Sequence, residues 1–201
     1  MLFRSASKAT LSFGHAGAVD RRVDEPLPLR PGDRIPGTRY RLIRRIGEGG
    51  SAEVYAAQHM DLERQVAIKV LFPQLAENSE AIAQFRMEAR ACSRVGHVNI
   101  VEVVDFGELA DGRFYFAMEL LDGESLADVL ERDPVLPVAR ALAISRQVCK
   151  ALQATHRHGI VHRDIKPENI MLVQRDGRAD AVKLLDFGVM SFGAHEPGGA
   201  V

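Results

Sequence analysis

The run HRDIKPEN at residues 162–169, followed by Asp-Phe-Gly at residues 186–188, constrains this 201-residue chain more than any other feature. Pro167 fixes φ and removes a backbone donor, which suits a rigid loop better than a helix interior. Asp186 follows Asn169 by 17 residues, a gap that fits a β-hairpin returning a second carboxylate to the same place. Phosphoryl transfer requires a carboxylate beside a hydroxyl, oxygen ligands for Mg²⁺ and fixed positive charge, and these two motifs supply all three.

A single aspartate in a loop more often belongs to a solvated turn. Here all eight residues of HRDIKPEN occur in sequence and Asp-Phe-Gly follows at hairpin distance, which favours a role in phosphoryl transfer over a solvated turn.

Composition predicts a globular domain without a dominant surface charge. Hydrophobic residues make up 46% of the chain, enough for a sizeable core. The 26 basic and 27 acidic residues give a formal charge of −1, so no overall field attracts nucleic acid or an anionic membrane. We therefore expect binding to depend on a local site and expect no nucleic-acid partner.

The spacing of the cysteines and the absence of long apolar runs predict a cytoplasmic location. Cys92 and Cys149 lie 57 residues apart in apparently helical segments, which fits neither a disulfide framework nor a metal clip, so both are interpreted as small buried residues. The sequence contains no run of 18 apolar residues and no secretory signal pattern, so we expect no membrane span.

Residues 1–35 lack a clear hydrophobic period and contain prolines near their end, at positions 26, 28 and 31. This pattern predicts a flexible leader. A docking role for the leader remains open, although no motif within it supports one.

Two β-patterns follow, each with a possible site residue. The stretch YRLIRRIGEGGSAEVYAAQ, from Tyr40, predicts a hairpin around Gly47, Gly49 and Gly50, whose small turn lets backbone amides approach phosphate oxygens. An ordinary glycine hairpin is the default interpretation of that stretch alone. The run VAIKVLF, residues 66–72, places Lys69 among apolar strand residues, where a lone lysine is often at a sheet edge.

Residues 79–94 predict an amphipathic helix capped by Asn78 or Ser79. Phe85, Ala89 and Cys92 recur at helical spacing, and Glu88 falls on or beside that inward face. Since burial of a lone carboxylate is costly, an ion pair is the economical explanation, with a surface glutamate as the alternative.

The rest of the chain predicts further strands and one long helix. An Asp111-Gly112 turn separates strands at residues 100–108 and 113–119. A helix at residues 137–158, with Leu142, Ile144 and Val148 on its apolar face, ends at Gly159 and leads into HRDIKPEN. Residues 169–173 and 181–185 form the hairpin between the two motifs, with its turn near Asp176-Gly177.

The glycine-rich hairpin with its valine, VAIK, the Glu88 helix, HRDIKPEN and Asp-Phe-Gly together resemble eukaryotic-type serine/threonine protein kinases, in wording close to bacterial members. One departure is Ala52 at the position of the third glycine, where a small methyl group is expected to leave nucleotide binding intact. The resemblance implies an α+β, bilobal kinase-like fold. Its N-lobe, residues 36–120, has an antiparallel β-sheet with one key helix, and residues 121–201 begin a helical C-lobe.

The resemblance also implies roles for single residues. Asp164 accepts the hydroxyl proton, and Lys166 stabilises phosphate charge and favours serine/threonine substrates. Lys69 contacts the ATP phosphates and Glu88 positions it. Asn169 and Asp186 hold Mg²⁺ or Mn²⁺, and His162 is scaffold. The implied nucleotide contacts are Ile46, Gly47, Glu48, Gly49, Gly50, Ser51, Ala52, Val54, Ala67, Lys69, Met118, Glu119 and Leu121.

The implied activity is ATP-dependent phosphorylation of serine or threonine on a protein substrate. The resemblance ends near Gly188, before an activation segment and an Ala-Pro-Glu motif, so a truncated kinase domain with exposed apolar surface on its long helix is expected. The alternatives are a non-catalytic nucleotide-binding or interaction fragment and a small-molecule phosphotransferase of kinase-like fold.

Overall fold

The structure, a computed structural model, describes residues 28–175 and 177–188. Most of the predicted flexible leader, residues 1–27, lies outside this part of the chain, as does Asp176 of the predicted hairpin turn. Residues 28–35 correct the leader prediction. Ile35 is only 1% exposed, Leu29 packs against the same cluster, and Arg34 forms a β-bridge with Arg41. This segment is ordered because its apolar side chains bury themselves on the outer face of the sheet.

A five-stranded antiparallel sheet forms the N-terminal lobe. In chain order its strands are β1 (Tyr40–Glu48), β2 (Ala52–His59), β3 (Arg64–Leu71), β4 (Val103–Glu108) and β5 (Phe114–Glu119), arranged in space as β1-β2-β3-β5-β4. β3 lies at the centre, which explains its nearly continuous apolar sequence. β4 begins three residues later than the predicted strand, because the preceding residues pair elsewhere: Ile100 bridges Leu184.

One helix, α1 (Ser79–Val95), packs on this sheet as predicted. Asn78 is the N-cap, since its side chain accepts hydrogen bonds from the amides of Glu80 and Ala81. Gly96 ends the helix in the left-handed conformation, with φ of 54°. The buried residues of α1 are Phe85, Ala89, Ala91, Cys92 and Val95.

The second lobe contains a small sheet and two helices. Its elements are β6 (Gly123–Ser125), α2 (Leu126–Arg132), α3 (Val138–Arg157), β7 (Ile170–Arg175) and β8 (Arg178–Leu184), with sheet order β6-β7-β8. A capping box between Ser125 and Asp128 starts α2. Gly159, with φ of 71°, follows α3 and turns the chain toward HRDIKPEN.

Two predictions about α3 are wrong. Leu142 is 65% exposed rather than part of the apolar face, and Cys149 is exposed rather than buried. The buried stripe of α3 consists of Ile144, Val148, Ala151 and Thr155. At about 100° of rotation per residue, Leu142 and Cys149 both lie on the side of the helix opposite that stripe. The expectation of exposed apolar surface on the long helix is met at Val138 and Leu142.

The main hydrophobic cluster runs from one lobe into the other. It joins Phe85 and Phe116 of the N-terminal lobe to Val148, Leu184 and Phe187 of the second lobe. The architecture is thus the expected α+β fold with two lobes. Within the described residues, none of the helices has the length and apolar content to cross a membrane.

Candidate active site

Lys69 is the centre of the first part of the site. It lies on β3, is 7% exposed, and donates hydrogen bonds from Nζ to Oε1 of Glu88 at 2.7 Å and to Oδ1 of Asp186 at 2.8 Å. Glu88 comes from α1 and Asp186 from the Asp-Phe-Gly motif, 117 residues further along the chain than Lys69. The structure therefore brings together three of the predicted site residues and confirms the expected ion pair between Lys69 and Glu88.

The three charges shift one another's pKa. Burial tends to lower the pKa of Lys69, but the charges of Glu88 and Asp186 outweigh burial and raise it above its usual value. Burial tends to raise the pKa of Asp186, but the charge and hydrogen bond of Lys69 outweigh it and lower the pKa. Burial raises the pKa of Glu88 to about 7, against the opposing effect of Lys69. Of the two carboxyl groups, Glu88 is thus the one that takes up a proton more readily.

This raised pKa predicts a pH dependence of stability. The folded protein releases the Glu88 proton near pH 7 and so completes the ion pair with Lys69, whereas the unfolded chain releases it near pH 4.5. Because the folded state binds more protons between these pH values, Glu88 makes the free energy of unfolding fall as pH rises from 4.5 to 7. In Glu88→Gln this contribution, on the order of 1–3 kcal/mol, is expected to disappear.

Urea unfolding of the wild type and Glu88→Gln across this pH range measures the effect, since titrating groups that Glu88 does not influence cancel in the difference between the two curves. Glu80→Gln is the matched control, because Glu80 is exposed at the start of the same helix. Parallel pH curves for the wild type and Glu88→Gln would contradict the assignment.

The HRDIKPEN loop forms the second part of the site. The Nδ2 group of Asn169 donates to both the carboxylate Oδ2 and the backbone carbonyl of Asp164, each at 2.9 Å. The Nζ group of Lys166 lies 2.9 Å from the same Oδ2. Hydrogen bonds from Lys166 and Asn169 lower the pKa of Asp164, and Asp164 in turn raises the pKa of Lys166. Asp164 is therefore held as a carboxylate, with Pro167–Asn169 in a short 3₁₀ turn behind it.

The two loops touch each other. A Cβ atom added at Gly188 would lie 2.8 Å from Cβ of Asp164, so the approach requires glycine. His162, only 1% exposed, places its ring 4.5 Å from that of Phe187, and its Nε2 lies 2.9 Å from the Leu185 carbonyl oxygen. These contacts confirm the prediction that His162 is a packed structural residue.

Backbone strain and charge mark the same junction. Arg163 and Asp186, one in each loop, have positive φ values of 64° and 43°. Such conformations are costly for residues other than glycine and occur often at functional sites. The charge of Lys166 contributes to lowering the pKa of Asp186, so the two halves of the site share one electrostatic environment.

The glycine-rich hairpin joins β1 to β2 as predicted. Gly47 pairs with Val54, and the Gly49 amide donates to the Ala52 carbonyl oxygen at 2.9 Å. A Cβ atom added at Gly50 would meet no atom of the described chain within 4 Å, so packing within the protein does not explain this glycine. Val54 is also paired with Lys69 across the sheet, which places the β2 side of the hairpin next to the lysine.

Four of the predicted nucleotide contacts lie where β3 and β5 meet the connection to the second lobe, and we call these four the adenine contacts because the resemblance places them against the adenine. Ala67 pairs with Met118, and both are buried. Glu119 ends β5 and Leu121 lies in the connection that follows. Glu124 and Ser125 follow this connection, and both side chains form contacts within the protein. Glu124 forms a bidentate pair with Arg132, and Ser125 caps α2.

Asn169 and Asp186 are the candidate metal ligands. Among the described residues, no group of three or more histidine, cysteine, aspartate and glutamate side chains could hold a metal ion. A site formed by one carboxylate and one amide oxygen fits a hard divalent cation that keeps water and phosphate ligands. The donor chemistry therefore suits Mg²⁺ or Mn²⁺ and does not suit a dedicated protein-only metal site.

Sequence reasoning missed Lys183. This lysine lies in the apolar strand residues AVKLL before the Asp-Phe-Gly motif, and it is 7% exposed. The signal was available, because it is the same pattern of one lysine in an apolar strand that drew attention to Lys69.

The two-lobed fold, the Lys69–Glu88 pair and the paired aspartate loops define the kinase-like class of folds. The profile described as "Protein kinase domain" matches residues 40–197. The chain therefore belongs to the protein kinase domain family.

Curated relatives and solved structures agree with this assignment. The chain is 42% identical to the serine/threonine-protein kinase pkn3 of Myxococcus xanthus, covering 75% of this chain and 28% of the relative. It is also 42% identical to the serine/threonine-protein kinase PrkC of Bacillus subtilis, covering 79% and 24%. The crystal structure of the Mycobacterium tuberculosis PknI kinase domain matches with a TM-score of 0.67 and 36% identity, covering 82% of this chain and 64% of that chain. The chain thus spans about a quarter of the length of these two curated relatives.

Proposed function

We propose that this chain provides the nucleotide-binding and phosphoryl-transfer centre of an ATP-dependent serine/threonine protein kinase. One observation carries the proposal: Lys69 is buried between Glu88 and Asp186, which come from separate elements. A buried lysine that faces two carboxylates can exchange one of these anionic partners for a phosphate oxygen.

In the proposed reaction, Asp164 is the proton acceptor. The hydroxyl oxygen of a serine or threonine forms a bond to the γ-phosphorus of ATP, and the bond from that phosphorus to the bridging oxygen of ADP breaks. The hydroxyl proton passes to Asp164. This role is supported by the deprotonated state of Asp164 and by its alignment through Lys166 and Asn169.

Lys166 and Lys69 supply the positive charge in this proposal. Lys166 lies at Oδ2 of Asp164, where the transferred phosphoryl group would pass. Lys69 would hold the α- and β-phosphates, with Glu88 keeping its amine in place. Fixed charges of this kind stabilise developing negative charge without reorganisation during the reaction.

Asn169 and Asp186 would hold Mg²⁺ or Mn²⁺. A bound divalent ion supplies charge neutralisation on the phosphates. The Nδ2 group of Asn169 is engaged by Asp164, which leaves its Oδ1 atom as the candidate ligand. Asp186 has a low pKa and a side chain 48% exposed, so it is both charged and accessible.

The choice of serine or threonine as acceptor rests on similarity. Lys166 occupies the second position after Asp164, as in serine/threonine kinases, and the matched relatives are described as serine/threonine-protein kinases. The protein substrate would be recognised by surfaces that the two catalytic loops do not themselves define.

Nucleotide binding without transfer is the second candidate. The observation behind it is that the parts that nucleotide binding would need, namely the hairpin, Lys69 and the connection after β5, are all among the described residues. Turnover also needs an acceptor protein to dock.

Radiolabelled ATP with a generic basic protein separates these candidates. Magnesium-dependent labelling of the acceptor by the chain supports the kinase proposal. Nucleotide binding by calorimetry without any labelling supports the second candidate, and the absence of both would overturn the proposed function.

A further inference from the structure

A second buried lysine joins the two lobes. Lys183, on β8, forms an ion pair with Glu119 at the end of β5, and its Nζ also donates to the Ile100 carbonyl oxygen at 3.3 Å. The side chains of Lys183 and Glu119 are only 8% and 21% exposed. We call these two residues the interlobe pair.

Glu119 is held on its other side as well. Its Oε1 accepts a hydrogen bond from the Glu102 amide at 2.8 Å, and its own amide donates to the Glu102 carbonyl oxygen at 3.0 Å. The segment 99–102 is in turn fixed to β8, because the Val101 amide donates to Leu184 and the Leu184 amide donates to Asn99. One carboxylate oxygen is thus shared by the N-terminal lobe and β8.

The position of the pair relates it to the site. Glu119 is the last residue before the connection 120–122, which links β5 to the second lobe, and Lys183 precedes Asp186 by three residues. Leu185, between Lys183 and Asp186, is held by its amide to the Asn169 carbonyl oxygen at 2.9 Å. A shift of Lys183 relative to Glu119 would therefore move the two metal-ligand candidates relative to the adenine contacts.

A buried ion pair is a costly way to gain stability, since apolar residues of similar size often stabilise as much or more. Such a pair can instead fix one geometry between two elements. Because each charge is balanced by the other, any change in the angle between the lobes that separates them leaves two poorly solvated charges, each with only a neutral backbone group among the contacts named above.

We propose that Glu119 and Lys183 are positioning residues that set the angle between the lobes and so align the nucleotide-binding connection with Asp186. The second half of this inference rests on the proposed function, and the first half does not. Loosening the pair widens the range of lobe angles and weakens nucleotide binding, even where the protein remains folded.

The first test measures the lobe angle without any nucleotide. Spin labels are attached at Leu62→Cys in the N-terminal lobe and Val138→Cys at the start of α3, both highly exposed positions, in a Cys149→Ser background. Double electron–electron resonance then gives the distance distribution between the labels. Glu119→Gln, and the double variant that adds Lys183→Met, are expected to broaden it.

Arg140→Gln is the matched control. Its ion pair with Asp180 also ends on β8, but it joins that strand to α3 within the same lobe. The control is expected to keep the wild-type distribution. An unchanged distribution in the double variant, or equal broadening in the control, would overturn the inference. The double variant keeps the test valid if a single charge left unpaired prevents folding.

The second test measures ADP affinity by calorimetry with Mg²⁺. Each single variant is expected to raise Kd about five- to tenfold, with the double variant close to either single variant because the residues act as one unit. If the wild type binds ADP and the variants bind it with the same Kd, the alignment role is overturned. Failure of the wild type to bind ADP would overturn the proposed function, while the distance measurement still decides the role in the lobe angle.

Discussion

Replacing Asp164 by asparagine is expected to lower the rate of phosphoryl transfer about 10²–10⁴-fold, because the variant loses the group that accepts the hydroxyl proton. Asparagine has nearly the same shape and can still accept the hydrogen bonds from Lys166 and Asn169 through its amide oxygen. The loop geometry and the affinity for nucleotide should therefore persist. Initial rates with radiolabelled ATP and a basic acceptor protein measure the first effect, and calorimetry measures the second.

Glu168→Gln is the matched control for Asp164→Asn. It removes a negative charge from the same loop, but at an exposed position with no proposed role in the reaction. Transfer by this control should stay at the wild-type rate. Retained transfer in Asp164→Asn, or an equal loss in Glu168→Gln, would contradict the assignment of the proton acceptor.

Replacing Lys69 by methionine is expected to have the next largest effect, a loss in kcat/KM for ATP of about 10²–10³-fold. Methionine keeps the apolar stem but removes the charge that faces the proposed phosphate site. The same change leaves Glu88 and Asp186 without their shared cation. Steady-state kinetics at varied ATP concentration measure the loss.

A second consequence of Lys69→Met is electrostatic and needs no turnover. Lys69 opposes the effect of burial on Glu88, so its removal should raise the pKa of Glu88 above about 7. The fall in stability with pH that Glu88 causes should then extend to higher pH. Arg64→Met, at an exposed position on the same strand, should change neither kcat/KM nor this pH range. Wild-type kinetics in Lys69→Met would overturn the phosphate-binding role.

The Lys69–Glu88 pair was predictable from the sequence for physical reasons. Helical spacing from Phe85 and Cys92 placed Glu88 toward the interior, and the cost of burying a carboxylate required a cation nearby. Lys69 was the only lysine in a central apolar strand pattern that preceded this helix. Local periodicity and one expensive charge indicated that Glu88 needs a cation, and the resemblance to protein kinases identified Lys69 as that cation.

Other features depend on packing that the sequence does not display. Leu142 and Cys149 lie outside the buried face of α3. The apolar residues of this helix fit more than one helical face, so periodicity alone could not identify the buried one. Ile35 is buried because its segment packs against the sheet. The segment has few apolar residues of its own, so the sequence gives no local signal for this packing. Strand β6 is three residues long and forms by pairing with β7, so it has no local signal.

The interlobe pair shows a third limit. Lys183 and Glu119 are 64 residues apart, and their sequence surroundings give no sign that they face each other. The resemblance implied Glu119 only as a nucleotide contact and not as the partner of a lysine. Its side chain acquires a partner only when β8 is placed beside segment 99–102.

The central claim is that Lys69, Asp164, Asn169 and Asp186 surround one metal-bound nucleotide. A crystal of the chain with Mn²⁺ and a non-hydrolysable ATP analogue, with data collected at the manganese absorption edge, tests it most directly. The account predicts an anomalous peak within about 2.5 Å of oxygens of both Asn169 and Asp186, with the Lys69 amine on the phosphates. A nucleotide and metal bound on another face, with Lys69 still paired only to Glu88 and Asp186, would contradict it.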